Sequence, residues 1–281
     1  MIKNILKKII SSIESDKIYI LLSASTYSQA LLYTALKLNK TVIAVSFTFK
    51  TKVNRDFECA ENIAKKYNIE FLPVLLDDSL ENIADSALEL GNKYECKTKR
   101  EFEKIFPMLS VYNAINKHSK DKATLISGIG SHIYSEYPYI RNKCITIRKQ
   151  HKKDDPPSVY IEKRLEGKYN CQIRQHKILE EKFNIKHEMP YLDKEISNIC
   201  LNFNWSDVNE ERLKELIYED FKKQIMYKKD FYSSNYHLKS SFVADAFFNL
   251  TKTKWNYNNW KTQVGIYNAI SKGLINKDTY L

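Results

Sequence analysis

The stretch LLSASTYSQALLYTAL, residues 21–36, decides how the fold is read. An apolar run ends in a Ser-rich turn, and from residue 28 onward the apolar positions recur at helical spacing, which predicts a strand, a tight turn and a helix. A phosphate-binding loop belongs at such a junction, because the first turn of a helix presents unpaired N–H groups and the positive end of its dipole. Yet residues 23–28, SASTYS, contain neither glycine nor an acidic side chain. Taken alone, the segment is a nucleotide site, the remnant of one, or a plain connection.

Working outward, strand patterns fall at 17–23, 41–47, 70–75 and 123–127, with helical patterns at 28–38, 55–67 and 102–118 between them. Short, continuously apolar strands separated by helices imply a mostly parallel sheet, since parallel neighbours need crossover connections. The expected fold class is α/β. In such sheets ligands bind beyond the carboxyl ends of the strands, so the segments after Leu22, Phe47 and Ile126 form the expected rim of a site. After about residue 155 helical patterns dominate, at 172–183, 194–201, 209–226, 238–250 and 260–272. The predicted organisation is an α/β core over 1–153 and a mainly helical lobe of the same unit over 154–281, with DDPP (154–157) near the boundary.

Composition narrows the classes. With 281 residues and 43% hydrophobic content, the chain can bury a sizeable core. Its five cysteines are scattered without a CxxC pair, so neither a disulfide framework nor a zinc site is encoded, no metal-ligand set is assigned, and a cytoplasmic protein is expected. The N-terminal MIKNILKKIISSIESDK has lysines among its apolar positions and predicts no signal peptide or membrane span. Ile2, Ile5, Leu6, Ile9, Ile10 and Ile13 instead make an amphipathic helix that packs on the body. The net charge of +11 accompanies a general richness in Lys, Ile, Asn and Tyr, so it is a weak pointer to nucleic acid. Its densest run, RNKCITIRKQHKK at 141–153, holds six Lys or Arg and keeps an RNA-binding reading open.

Five segments, in order, resemble the synthetase domain of asparagine synthetases. SASTYS stands where that family has SGGxDS; AVSFTFK followed by RDFECAENIAKKYNIEFLPV resembles its second strand and acidic helix, with Arg55 and Asp56 near the acidic pair. SGIGSHIYSEY (127–137) resembles SGEGxDExFxGY, RQHKILEEKFNIKHEMPYLD (174–193) the RDxxxxxxxxxExRxPFLD segment, and KQIMYKKDFYSS (223–234) the RKK segment. The resemblance covers roughly 15–240. It implies the adenine nucleotide α-hydrolase (PP-loop ATP pyrophosphatase) superfamily, with an HUP-like parallel sheet, ATP or another adenine nucleotide as ligand, and formation of an acyl-adenylate that an amine attacks. Ser23, Ser25, Ser28, Ser127, Gly128, Gly130 and Arg174 are then the nucleotide-side candidates. Lys228, Lys229 and His132 are the catalytic ones.

Departures from that pattern shape the functional expectation. Tyr27 and His132 stand where the resemblance places Mg²⁺-binding aspartates, and a phenol or an imidazole is a poor ligand for a hard ion that prefers oxygen anions. Ala24 and Ser25 replace the loop glycines, and Gln175 replaces the aspartate after Arg174. With Ile2 after Met1, no glutaminase domain of the kind that begins with a cysteine is expected. The expectation is a stand-alone, catalytically degenerate asparagine-synthetase-like domain, a pseudoenzyme that keeps a nucleotide or phosphate pocket and serves a protein partner. Kept beside it are an active ATP-dependent amide ligase with a remodelled metal site and an RNA-binding relative.

Overall fold

A computed structural model describes residues 1–134 and 156–218, apart from 52, 78, 95, 97–98, 120–121, 167–169, 205–206 and 208–209. Its elements run α1 (Ile2–Ser11), β1 (Lys17–Leu21), α2 (Thr26–Lys37), β2 (Thr41–Phe49), α3 (Arg55–Lys66), β3 (Glu70–Leu76), α4 (Leu80–Lys93), α5 (Lys99–Ser119) and β4 (Ala123–Ser127). After a short 3₁₀ turn (Ser131–Ile133) come α6 (Pro157–Arg164), α7 (Asn170–Phe183), β5 (Ile185–Glu188), a second 3₁₀ turn (Pro190–Leu192), α8 (Lys194–Leu201) and α9 (Glu210–Tyr218). The predicted α/β class is what the structure has.

All five strands are parallel, in the order β3-β2-β1-β4-β5. The chain lays β2 and β3 to one side of β1, then returns to place β4 and β5 on the other. Strand order therefore reverses between β1 and β4, where ligands of open α/β sheets sit. The residues that follow these two strands, 22–28 and 128–132, are the serine-rich turn and the SGIGS segment.

Side-chain alternation divides the core into two layers. Ile18, Ile20, Leu22, Val42, Ala44 and Ile126 face α1, α2, α3, α6 and α8, whereas Tyr19, Leu21, Ile43, Val45, Leu125 and Ile185 face α4, α5 and α7. Alternate residues of a strand point to opposite faces, so strands covered on both sides are apolar on both, as β1 is over residues 18–21 and β2 over 42–45. In α1, Ile2, Ile5, Leu6 and Ile10 are buried, and Lys8 pairs with Glu195 of α8. Among the described residues, no helix is long and apolar enough to cross a membrane.

Helix ends follow local chemistry. Ser25, Asn54, Ser79 and Asp193 cap α2, α3, α4 and α8 by accepting from backbone N–H groups of the first turn. Asn39 and Asn68 follow α2 and α3 in the left-handed region, with φ of 55° and 49°. There the chain closes with Lys40 N–H to Ala35 O at 3.1 Å and Ile69 N–H to Ala64 O at 3.0 Å. These are Schellman-type ends in which asparagine takes the place of glycine, turning each helix directly into the next strand.

Three elements, β5, α4 and α6, lie outside the sequence expectation. β5 comes from beyond residue 154 and extends the sheet, so the lobe expected to be mainly helical contributes a strand between two of its helices. It is four residues long, and only Ile185 and His187 face inward, too short a pattern to register as a strand. Helix α4 falls in a segment for which the sequence pattern predicts no element. Residues 141–153, the helical patterns at 238–250 and 260–272, and both Lys228 and Lys229 lie outside the described residues.

Candidate active site

The turn after β1 is held together by its own hydroxyls. Ser28 Oγ accepts from Ser23 N–H at 3.2 Å and lies 3.2 Å from Ser23 Oγ, while Ser25 N–H donates to Ser23 Oγ at 3.1 Å. Ser28 Oγ in turn donates to Ser25 O at 2.9 Å, and the buried Gln29 amide donates to Ala24 O at 3.1 Å. Ser25 is also the N-cap of α2. The serines that a phosphate loop would use as donors thus make a compact turn without glycine.

One loop amide points to a different partner. Ala24 N–H donates to Asp56 Oδ1 at 3.0 Å, across from the start of α3. A carboxylate sits on a main-chain donor of the turn, next to the N-terminus of α2, which is the environment an oxyanion prefers.

Tyr27 does not face that mouth. It is 6% exposed, and its ring meets that of Tyr191 edge to face at 5.6 Å. Tyr191 O–H donates to Tyr27 O at 3.1 Å. Where the sequence comparison expects a metal-binding acid, the structure has a core side chain.

The 127–132 segment packs alongside. A Cβ built on Gly128 would lie 3.5 Å from both Ser28 N and Tyr27 Cβ, ordinary contact distances that place this turn against the first loop. Gly130 has φ of +95°, and a Cβ there would come within 2.5 Å of Leu192 Cδ2. Three of the quoted segments, SASTYS, SGIGS and PYLD, therefore meet at one place. The role of PYLD within it is structural: Tyr191 is core and Asp193 caps α8, accepting from Glu195 N–H at 2.8 Å.

Other candidates are more dispersed. His132 is half-buried in the first 3₁₀ turn; Tyr134, two residues on, is fully buried with its hydroxyl 2.9 Å from Ser197 Oγ. Arg174 is exposed on α7. Ser127 has no exposed surface, and its hydroxyl lies 2.8 Å from His187 Nε2, on the sheet face opposite α2.

Behind Ser127 lies a buried polar cluster that the sequence did not single out. His187 Nδ1 is 2.8 Å from Tyr112 O–H, and His176 meets His187 edge to face at 4.8 Å and stacks near Tyr112. Burial pushes the His176 pKa down to about 3, with Lys104 adding to the effect. His187 is held well below the ordinary imidazole value by burial and by His176, so both rings are neutral. Among the described residues, no group of three or more His, Cys, Asp or Glu is arranged to hold a metal ion. The cluster joins α5, α7 and β5 across long separations, which no local pattern announces.

Comparison with known proteins adds the chemistry. A family model for the queuosine biosynthesis protein QueC matches residues 17–153, just under half of the chain. A 7-cyano-7-deazaguanine synthase from Clostridium botulinum (strain 657 / Type Ba4) is 44% identical over 55 residues, 20% of this chain and 25% of that protein. The family match contains the serine-rich turn, the Asp56 helix and the SGIGS turn. It stops short of 174–193 and 223–234, on which much of the likeness to asparagine synthetases rested.

These matches overturn the expectation of a catalytically degenerate, asparagine-synthetase-like domain. The physical reason is visible in PYLD, the most specific-looking segment, whose residues fill the core and cap a helix. Such work recurs wherever a strand leads into a capped helix, whatever the reaction. What the parallel sheet, the loop after β1 at the switch point and the family match share is a wider grouping: the chain is a member of the adenine nucleotide α-hydrolase (PP-loop) superfamily.

Proposed function

We propose that this protein is an ATP-dependent enzyme that converts a carboxylate on a 7-deazaguanine-type base to a cyano group. The observation carrying the reading is the QueC family match over 17–153, which spans both turns at the switch point. The named relative supports the substrate class, and its aligned portion is a quarter of its length.

A cyano product constrains the chemistry. A cyano carbon is at the oxidation level of a carboxylate, so R–COOH and NH₃ give R–CN and two H₂O without any redox partner. Each lost oxygen must first become a good leaving group. One ATP would activate the first oxygen, the carboxylate attacking its α-phosphorus with expulsion of pyrophosphate and ammonia then displacing AMP to give the amide; a second ATP would activate the amide oxygen in the same way, and loss of AMP and a proton would leave the nitrile.

The donor set after β1 fits a phosphate. Its loop already holds an oxyanion, the Asp56 carboxylate, on Ala24 N–H. Ser23 and Ser25 would offer hydroxyl donors and the first turn of α2 its dipole. The Gly128 turn packs against this loop and would close one side of the pocket.

The test is an incubation with ATP, ammonium and a 7-deazaguanine carrying a 7-carboxylate, followed by mass spectrometry and a pyrophosphate assay. The expected result is a nitrile product with pyrophosphate release that depends on the carboxylate. Absence of nucleotide consumption and of nitrile in the full mixture would remove the reading.

A further inference from the structure

The Tyr112, His187 and Ser127 cluster behind the site has a direction that can be deduced. The Tyr112 side chain is fully buried, and His187 is its sole hydrogen-bond partner among the described residues. A buried phenol left without an acceptor costs about 1–3 kcal/mol. Tyr112 therefore donates to His187 Nδ1. A neutral imidazole that accepts at Nδ1 must carry its proton on Nε2, so His187 donates to Ser127 Oγ at 2.8 Å.

Ser127 ends β4 and leads directly into Gly128, whose backbone lies against Tyr27 and Ser28. The turn is braced from its other side by Ser131 Oγ donating to Gly128 O at 2.8 Å. A one-way chain thus runs from helix α5 through β5 to the last residue before the site turn.

We propose that Tyr112 and His187 are positioning residues: they hold Ser127, and through it the 128–130 turn, in the place from which it closes the pocket beside the serine-rich loop. The ligand consequence rests on the nucleotide reading above; the positioning itself does not. His187 acts here through a fixed Nε2–H tautomer, in which an acceptor faces Tyr112 and a donor faces Ser127. A glutamine amide offers the same pair of groups, which separates this role from mere filling of space.

Nuclear magnetic resonance on ¹⁵N-labelled protein near neutral pH tests the chain directly. Long-range ¹H–¹⁵N correlations should show His187 protonated on Nε2 alone, and Tyr112→Phe should shift it toward a tautomer mixture. A wild-type Nδ1–H tautomer would overturn the direction. The amide resonances of Gly128 and Gly130 should move in His187→Phe and return close to wild type in His187→Gln. Equal shifts in both variants, or none in either, would overturn the positioning role.

Calorimetry with ATP and Mg²⁺ then reads the consequence, expected as about five- to tenfold weaker binding for His187→Phe and within about twofold of wild type for His187→Gln. Unchanged binding by a folded His187→Phe refutes the consequence for the pocket. If His187→Phe does not fold, Tyr112→Phe and Ser127→Ala give the same readouts. Failure of the wild type to bind ATP would count against the proposed function, with the tautomer and glycine shifts still deciding the chain.

Discussion

The Asp56 carboxylate and the Ala24 amide are joined by a 3.0 Å hydrogen bond that ties α3 to the turn after β1. A negative charge therefore rests on a donor that a phosphate oxygen would use. Replacing Asp56 with Asn keeps an acceptor of similar size and removes the charge. Metal-free pyrophosphate should bind Asp56→Asn several-fold more tightly than wild type, because like-charge repulsion at the loop is relieved. Calorimetry at low salt checks this, and weaker binding by the variant would mean that Asp56 works with the ligand rather than against it.

Gly130 and Gly128 should respond very differently to a methyl group. At Gly130 the φ of +95° and the 2.5 Å approach to Leu192 Cδ2 add backbone strain to a steric clash. Gly130→Ala should lose about 2–3 kcal/mol in urea unfolding, and adding Leu192→Ala should remove the clash but not the strain. Gly128→Ala, whose contacts would be 3.5 Å, should lose less than about 1 kcal/mol. Equal losses at the two positions would contradict the geometry.

The buried imidazoles make stability depend on pH in a stated direction. His176 and His187 have folded pKa values below their unfolded ones, so the unfolded chain binds more protons as pH falls below about 6.5. Stability is full above that pH and declines as pH drops toward the folded value, about 3 for His176. The slope approaches about 1.4 kcal/mol per pH unit for each histidine once the unfolded form is protonated. Glu180 is shifted upward by burial and opposes the trend where it titrates, so the window from pH 7 down to 5.5 is the cleaner one. Urea midpoints across it should fall, and His176→Phe should reduce the dependence; a flat profile would show that the rings are not kept neutral.

How far the sequence discloses this molecule depends on the range of the interactions involved. Strand and helix periods identify β1 to β4 and the order of the core, and Ser25, Asn54 and Asp193 mark helix starts through contacts a few residues apart. The loop after β1 was likewise recognised by its place between strand and helix. Asp56 could be noticed as an acid near that loop, but only the packing of α3 on β2 brings it to Ala24, 32 residues away. Tyr112 and His187 are 75 residues apart and meet through the sheet, beyond any local pattern. Misreading PYLD had a related cause: residues selected for capping and core packing resemble residues selected for chemistry when only their types are seen.

Tyr27 allows those two kinds of residue to be told apart by experiment. If its position were a depleted metal site, Tyr27→Asp would restore a ligand for Mg²⁺. Its ring is 6% exposed, packed edge to face on Tyr191, with the Tyr191 hydroxyl donating to its own carbonyl. An aspartate there removes the ring from the core and leaves a carboxylate where apolar side chains of α2 and the PYLD turn converge. Both effects are unfavourable, and together should cost about 3 kcal/mol or more. Tyr27→Phe keeps the ring and should lose far less. Urea unfolding with and without Mg²⁺ measures both variants, and the expected result is a destabilised Tyr27→Asp protein that the ion does not rescue. Recovery of stability on adding Mg²⁺ would instead make position 27 part of the ligand site, and would require the side chain there to turn from Tyr191 toward the loop that Asp56 now caps.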